Sequence, residues 1–317
     1  MLKDFFKKLS IKQKVKYLLG LLFIFAILCT AKYFISIAYY NLNPINIVYT
    51  TDKNYKDYLK VSLNSLVRNK NKHSIYNINI LCVNLTPTES RYYYSYNSDK
   101  VHVNVIDMDL NTIKNVGNYE INYHVTRADL FKFFMPEIFP ELNKILYLDV
   151  DTIILKDVSK LYYTNLGNKY LGVVTKCIPN HRTYQKFGKN KIKKVYEYNC
   201  GVMLYNLKKW RKNNITNQLV EAKNNDETRN LMTQKVFNEV LGPNKIKRLS
   251  PIYNVLTQWD EKMFEYCEFR RVNWRFCTTI FSSEDLFRKA VIIHYVDQNK
   301  PWKQNVPYGQ IWEKYKL

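Results

Sequence analysis

The sequence predicts an α/β protein: a mostly parallel sheet with helices on both faces, preceded by one N-terminal transmembrane helix. Three observations carry this expectation. The first half of the chain alternates short apolar runs with amphipathic stretches, the pattern of βαβ units. One run, Lys144-Ile145-Leu146-Tyr147-Leu148, is as continuously apolar as a strand buried on both faces, and it ends in Asp149-Val150-Asp151. At the N-terminus, Lys3, Lys7, Lys8, Lys12, Lys14 and Lys16 precede a long uncharged apolar stretch.

Taken in order, residues 17–31 carry no charge, Lys32 interrupts, and 33–42 are again uncharged. The first stretch is short for a span. Continued to about residue 40 it is long enough, with Lys32 reaching toward the interface. The expectation is a basic cytoplasmic tail over 1–16, a signal anchor over 17–40, and a folded domain over 43–317 in the lumen or exterior. A cleaved signal peptide is the competing reading, since Cys29-Thr30-Ala31 offers small residues at a cleavage site. The apolar run continues past that point, which favours the anchor.

Beyond it, residues 45–51 read as a strand and 54–68 as a helix with Tyr58, Val61, Ser62 and Leu66 on one face. Residues 78–83 and 101–106 read as strands, 126–139 as a helix, and 145–149 as the central strand. Ligands of such sheets bind outside the carboxyl ends of the strands. That rule alone brings Thr51-Asp52 together with Asp149-Val150-Asp151. A later apolar run, Ala290-Val291-Ile292-Ile293, ends in His294, and Lys300-Pro301-Trp302 follows. After Asp157 the pattern loosens, and 185–194 is basic and unpatterned, as expected of a mobile loop.

The formal charge is +22, with 46% hydrophobic residues. Nucleic-acid binding is the obvious reading of such a charge. The basic residues, however, are mostly lysines scattered through the chain, with no compact basic helix after residue 16, so no nucleic-acid partner is expected. Attraction to anionic nucleotides or membranes fits better. Of six cysteines, Cys29 lies in the apolar segment. The other five allow at most two bridges, with Cys267 and Cys277 the favoured pair. No C-x-x-C occurs, which argues against a zinc site. Asn84-Leu85-Thr86 and Asn214-Ile215-Thr216 are glycosylation acceptors if the domain is luminal.

Asp149 and Asp151 have the spacing for a hard divalent cation where the strand ends and its alternation relaxes. Strand ends also carry Asp simply as turn residues. His294 could add an imidazole nitrogen, and Lys300 could neutralise a phosphate.

Together these segments resemble glycosyltransferase family 8, retaining enzymes of GT-A fold that use sugar nucleotides. The resemblance runs from about residue 45 to 302. It rests on Ile47-Val48-Tyr49-Thr50-Thr51-Asp52-Lys53-Asn54-Tyr55, on the run from Lys144 to Asp151, on Tyr198-Asn199-Cys200-Gly201-Val202 through Trp210, and on His294 to Trp302. Each motif alone is weak; their order and spacing are specific. The resemblance implies a UDP-sugar donor, a glycan or glycoprotein acceptor, and Mn2+ (Mg2+ as the alternative) held by Asp149, Asp151 and His294. It implies a nucleotide-sugar site of Thr50, Thr51, Asp52, Asn54, Tyr55, Lys132, Asp149, Val150, Asp151 and Lys300. Tyr55 would stack on the base, Asn54 reach the ribose and Lys300 contact the diphosphate. Gln234 and Asn199 match the residues beside the reacting sugar. Four departures stand out: Lys132 replaces an Arg, Thr233 and Lys235 flank Gln234 where Asp is common, and Asp297 stands at a usual Gly.

Two other readings compete. Leu148-Asp149-Val150-Asp151-Thr152 also resembles the nucleophile motif of haloacid-dehalogenase-type phosphatases, but the Gly-Asp-x-x-x-Asp motif they need is absent. The four departures also admit a membrane-anchored sugar-nucleotide-binding protein with little or no transferase activity.

Overall fold

The computed structural model describes residues 10–113, 116, 127–178, 195–225, 232–258, 282–296 and 298–316. Among the sequence expectations, the loop over 185–194, the Cys267–Cys277 pair and Asp297 lie outside these residues.

A single helix, α1 (Ile11–Leu42), runs ahead of the folded domain. Its stretch Ile11–Ile35, 25 residues long, is apolar enough to cross a membrane and makes no buried contact. At 1.5 Å per residue it spans roughly 37 Å, against a hydrocarbon core of about 30 Å. The helix thus begins earlier than the 17–40 expected, carrying Lys12, Lys14 and Lys16 in its first turns.

The main sheet has seven strands in the order β3-β2-β1-β4-β7-β6-β8. These are β1 (Ile45–Asp52), β2 (Tyr76–Val83), β3 (Val101–Asp107), β4 (Lys144–Leu148), β6 (Leu171–Ile178), β7 (Val195–Asn206) and β8 (Ile246–Arg248). Strands β1 to β4 are mutually parallel; β7 runs antiparallel to both β4 and β6. A second sheet of three strands has the order β5-β10-β9, with β5 (Thr152–Ile154), β9 (Val255–Leu256) and β10 (Ile292–His294).

Both faces of the main sheet are covered, and the two-residue alternation of each strand divides the core in two. Ile47, Tyr49, Leu146, Leu148, Val202 and Leu204 pack on one side, with helix α2 (Lys56–Arg68) and the second sheet. Val48, Ile145, Tyr147, Met203 and Tyr205 pack on the other, against Phe131, Phe133, Trp210 and Phe237. Each such buried Val, Leu, Ile or Phe stabilises the fold by about 1.5–3 kcal/mol. This is the predicted architecture, with β4 at its centre.

The single helix expected over 126–139 is not formed. Arg127–Phe133 is a 3-10 helix, followed by a short turn of α-helix, α3 (Met135–Ile138). Pro136 is the reason: in a continuous α-helix its ring would strike the carbonyl of Lys132, four residues back, and it has no N–H to donate. The Lys132 carbonyl is instead capped by the Tyr205 hydroxyl at 3.0 Å, and the Phe133 carbonyl by Thr216 Oγ1 at 3.0 Å. The 3-10 winding also eclipses side chains three apart. That brings Asp129 and Lys132 together, with 2.5 Å between carboxylate and ammonium.

Candidate active site

Asp149-Val150-Asp151 is the crossing between the two sheets. The Asp149 N–H donates to the Gly201 carbonyl at 2.8 Å, extending the β4–β7 pairing by one residue. Asp151 accepts the Tyr295 N–H at 3.0 Å on its carbonyl, and Thr152 then begins β5. The Thr152 hydroxyl closes the turn on the Asp149 carbonyl at 2.7 Å. One carboxylate is therefore fixed to the main sheet and the other to the small one.

His294 arrives by a route other than the expected one. Its strand, β10, is not among the parallel strands whose carboxyl ends open together. It runs antiparallel to β5, with His294 opposite Thr152. Convergence follows because β5 starts at the residue after Asp151.

Ligand atoms of Asp149, Asp151 and His294 all lie within 4.8 Å of one another. His294 Nε2 is 3.0 Å from Asp151 Oδ1 and 3.8 Å from Asp149 Oδ2. The remaining carboxylate oxygens are taken by other groups. Asp149 Oδ1 accepts from the Tyr147 hydroxyl at 2.7 Å and pairs with Lys132 at 3.0 Å. Asp151 Oδ2 accepts from Lys300 at 2.5 Å. Asp151 Oδ1 is buried without a hydrogen bond, its approach to Nε2 being close but not aligned. Burial opposes ionisation of Asp151, but Lys300 and His294 outweigh it and hold the carboxyl well below its usual range. Lys132 is likewise buried, yet Asp129 and Asp149 keep its ammonium charged far above its ordinary range.

Two carboxylate oxygens and an imidazole nitrogen thus face one another at the centre, and a divalent cation is the group such a donor set accommodates. Gly201 leaves the room: a Cβ there would lie 2.0 Å from His294 Cε1 and 2.7 Å from Asp149 Oδ2. The site opens into a cleft of 410 Å³, within the usual range for a small-molecule pocket.

All the residues nominated from sequence line this cleft except Asn54, which is exposed outside it. Thr50 Oγ1 bonds the Tyr147 hydroxyl at 2.8 Å. Asp52 Oδ1 accepts the N–H groups of Asn54 and Tyr55 at 2.8 and 3.2 Å, so it also tethers the start of α2. Burial, then nearby Asp151 and Asp52, push the Tyr55 hydroxyl up to about 12. Lys300 also donates to the Tyr295 carbonyl at 2.6 Å. Gln234 sits in the first turn of α4 (Thr233–Val240), and its Oε1 accepts from Asn199 Nδ2 at 3.2 Å. Thr233, where the resemblance leads one to expect Asp, donates its hydroxyl to Asp129.

Sequence reasoning missed Asp129, Tyr147 and Asn254 and gave Gly201 no role. Asp129 had one available signal, its three-residue spacing from Lys132.

The sequence profile described as "Glycosyl transferase family 8" matches residues 46–306. The chain belongs to glycosyltransferase family 8. Among curated relatives in that family's range, "Probable galacturonosyltransferase 9" of Arabidopsis thaliana is 30% identical over 61% of this chain and 33% of its own length. "Glycosyltransferase GlyE" of Streptococcus pneumoniae is 23% identical over 86% of this chain and 60% of its own. The chain thus spans a third to about three-fifths of these relatives. Among solved structures, the galactosyltransferase LgtC, in complex with donor and acceptor sugar analogs, aligns with a TM-score of 0.70 at 19% identity, covering 86% of this chain and 95% of its own. Mouse xyloside xylosyltransferase 1 aligns with a TM-score of 0.58 at 16% identity, over 82% and 99%. These likenesses show the fold shared with family 8 transferases.

Proposed function

We propose that this family 8 protein is a metal-dependent retaining transferase that moves a hexose or pentose from a UDP-sugar to a glycan or glycoprotein acceptor. We further propose that α1 anchors it with the N-terminus cytoplasmic and the transferase domain in the lumen or exterior. The observation that carries the reading is the convergence of Asp149 Oδ2, Asp151 Oδ1 and His294 Nε2 in the wall of a cleft that also presents Lys132, Lys235 and Lys300 and the amides of Asn199, Gln234 and Gln258. LgtC and GlyE, with the fold or sequence in common, are named as glycosyltransferases.

Asp149, Asp151 and His294 would hold Mn2+ or Mg2+, which when bound supplies charge to a diphosphate leaving group. Lys300, beside Asp151, adds a fixed cation where that diphosphate would lie. Thr51, Asp52 and Tyr55, at the end of β1, form the side for the base: Asp52 Oδ2 can accept a base N–H and Tyr55 offers a ring face. Thr50 and Tyr147 hold Asp149 in place. Gln234 and Asn199 present amides on the β7 side, for the sugar and for stabilising charge at its reacting carbon. Lys132 bridges Asp129 and Asp149 and offsets their mutual repulsion, and Asp129 restores a carboxylate against the residue preceding Gln234.

The alternative, a membrane-anchored sugar-nucleotide-binding protein with little or no turnover, draws on the departures at Lys132, Thr233, Lys235 and Asp297. The Thr233–Asp129 contact weakens it. The full-length chain in detergent, given a panel of UDP-sugars with Mn2+, should hydrolyse or transfer one of them. Asp149→Asn and Asp151→Asn should each remove that turnover without unfolding the domain, because each takes an anionic ligand from a hard cation. Near wild-type, metal-dependent turnover in either variant would overturn the assignment.

A further inference from the structure

Asn254 was given no role from the sequence, yet it is fully buried, bonded to both His294 and Asn199. Its Oδ1 lies 3.1 Å from His294 Nδ1, and its Nδ2 donates to Asn199 Oδ1 at 3.0 Å. Asn199 Oδ1 also accepts the Gly201 N–H at 2.8 Å, and Asn199 Nδ2 donates to Gln234 Oε1 at 3.2 Å.

The polarity of this chain of amides has a fixed origin. A backbone N–H can only donate, so the Asn199 atom facing Gly201 must be its oxygen. That turns Asn199 Nδ2 toward Gln234, which must meet it with Oε1, leaving the Gln234 amide N–H groups free of this contact. It also requires that Asn254 meet Asn199 Oδ1 with its NH2 group. Asn254 Oδ1 is then left for His294, whose Nδ1 must carry a proton, which makes Nε2 the ring nitrogen able to offer a lone pair to a cation between Asp149 and Asp151.

We propose that Asn254 is the positioning residue that couples the cation site to the sugar-facing amides: it holds the His294 ring by accepting at Nδ1 and, through Asn199, whose polarity Gly201 sets, helps place Gln234. The inference deepens the functional reading above and rests on it. A partner on the far nitrogen of a ligating histidine is worth ~10–100-fold in metal affinity or activity.

Two variants separate the two ends of the relay. Asn254→Leu, of similar size, removes both bonds. Asn254→Asp keeps an acceptor for His294 Nδ1 but meets Asn199 Oδ1 with a second acceptor. Affinity for Mn2+ in the presence of UDP is read by electron paramagnetic resonance on the full-length chain in detergent, alongside kcat, KM and thermal unfolding. Asn254→Leu should lose ~10–100-fold in both Mn2+ affinity and kcat. Asn254→Asp should leave affinity within about threefold of wild type while kcat falls ~10–100-fold, with donor KM little changed. A merely structural role would move affinity and kcat together with the melting temperature in both variants. Equal loss of Mn2+ affinity in the two, or wild-type affinity in Asn254→Leu, overturns the proposal. Should the buried carboxylate prevent folding, the leucine variant alone decides it by affinity. A wild-type protein that binds Mn2+ with UDP but turns over no donor would sink the functional reading alone, since the affinity arm stands without turnover. One that binds no Mn2+ would overturn the relay.

Discussion

Gly201 shows how much of this site depends on single atoms. Its N–H sets the polarity of the Asn199 amide, its carbonyl fixes Asp149, and its missing Cβ makes room for His294. Its place in β7 makes no demand on backbone conformation, so alanine adds a clash and little else. Gly201→Ala should therefore lower Mn2+ affinity and donor turnover by ~100-fold or more, since displacements of about 1 Å at reacting groups cost that much. The overlap should also lower stability by about 1–3 kcal/mol, and affinity equal to wild type would show that the site yields to the methyl group. The contrast with Asp149, Asp151, His294 and Lys300 explains what was legible. Those four are charged or ligating types at the ends of apolar runs, a local signal. Gly201 and Asn254 meet His294 from 93 and 40 residues away in the chain, and although Gly201 lies within a recognisable segment, nothing local shows that either one reaches the histidine.

Among the elements, α4 is tied to β7 most extensively by one amide, that of Asn238. Asn238 Oδ1 accepts the Tyr198 N–H at 2.9 Å while its Nδ2 donates to the carbonyls of Tyr198 and Gln234 at 3.0 and 2.8 Å. The Tyr198 hydroxyl returns to the Phe237 carbonyl at 2.6 Å. Asn238→Ala strands buried backbone groups and should cost roughly 1–3 kcal/mol of stability, measured by denaturant unfolding. Because the same bonds orient the turn bearing Gln234, kcat should fall while Mn2+ affinity holds. Parallel loss of both would place Asn238 outside this role. Regular elements with two-residue alternation, β1 to β4 above all, were readable because each face is uniformly buried. The helix expected over 126–139 failed because apolar periodicity outweighed Pro136, whose effect reaches back to the Lys132 carbonyl. The position of β10 in a separate sheet was hidden because strand pairing is set at long range, and a three-residue strand carries no sign of its partner.

For the whole molecule, α1 passes into β1 through Asn43 and Pro44 alone, so the first strand of the domain starts two residues after the apolar helix. Under the proposed topology a reporter fused to the C-terminus should face away from the cytoplasm, and the protein should resist extraction by alkaline carbonate. A cytoplasmic reporter would contradict it. Asn214 is exposed, but the Thr216 hydroxyl of its acceptor motif is buried against Trp210 and the Phe133 carbonyl, so under that topology any glycan there would have to be added before folding. The mostly parallel sheet was legible from the chain, and the joining of two sheets at Asp149-Val150-Asp151 was not, although that junction is what aims both carboxylates at one point. The central claim is that this point holds a divalent cation. An anomalous difference map at the manganese edge, from crystals grown with Mn2+ and UDP, tests it most directly. One peak within ~2.0–2.6 Å of Asp149, Asp151 and His294 Nε2 is the predicted result; a peak elsewhere, or bound UDP with no peak at these residues, would contradict the account.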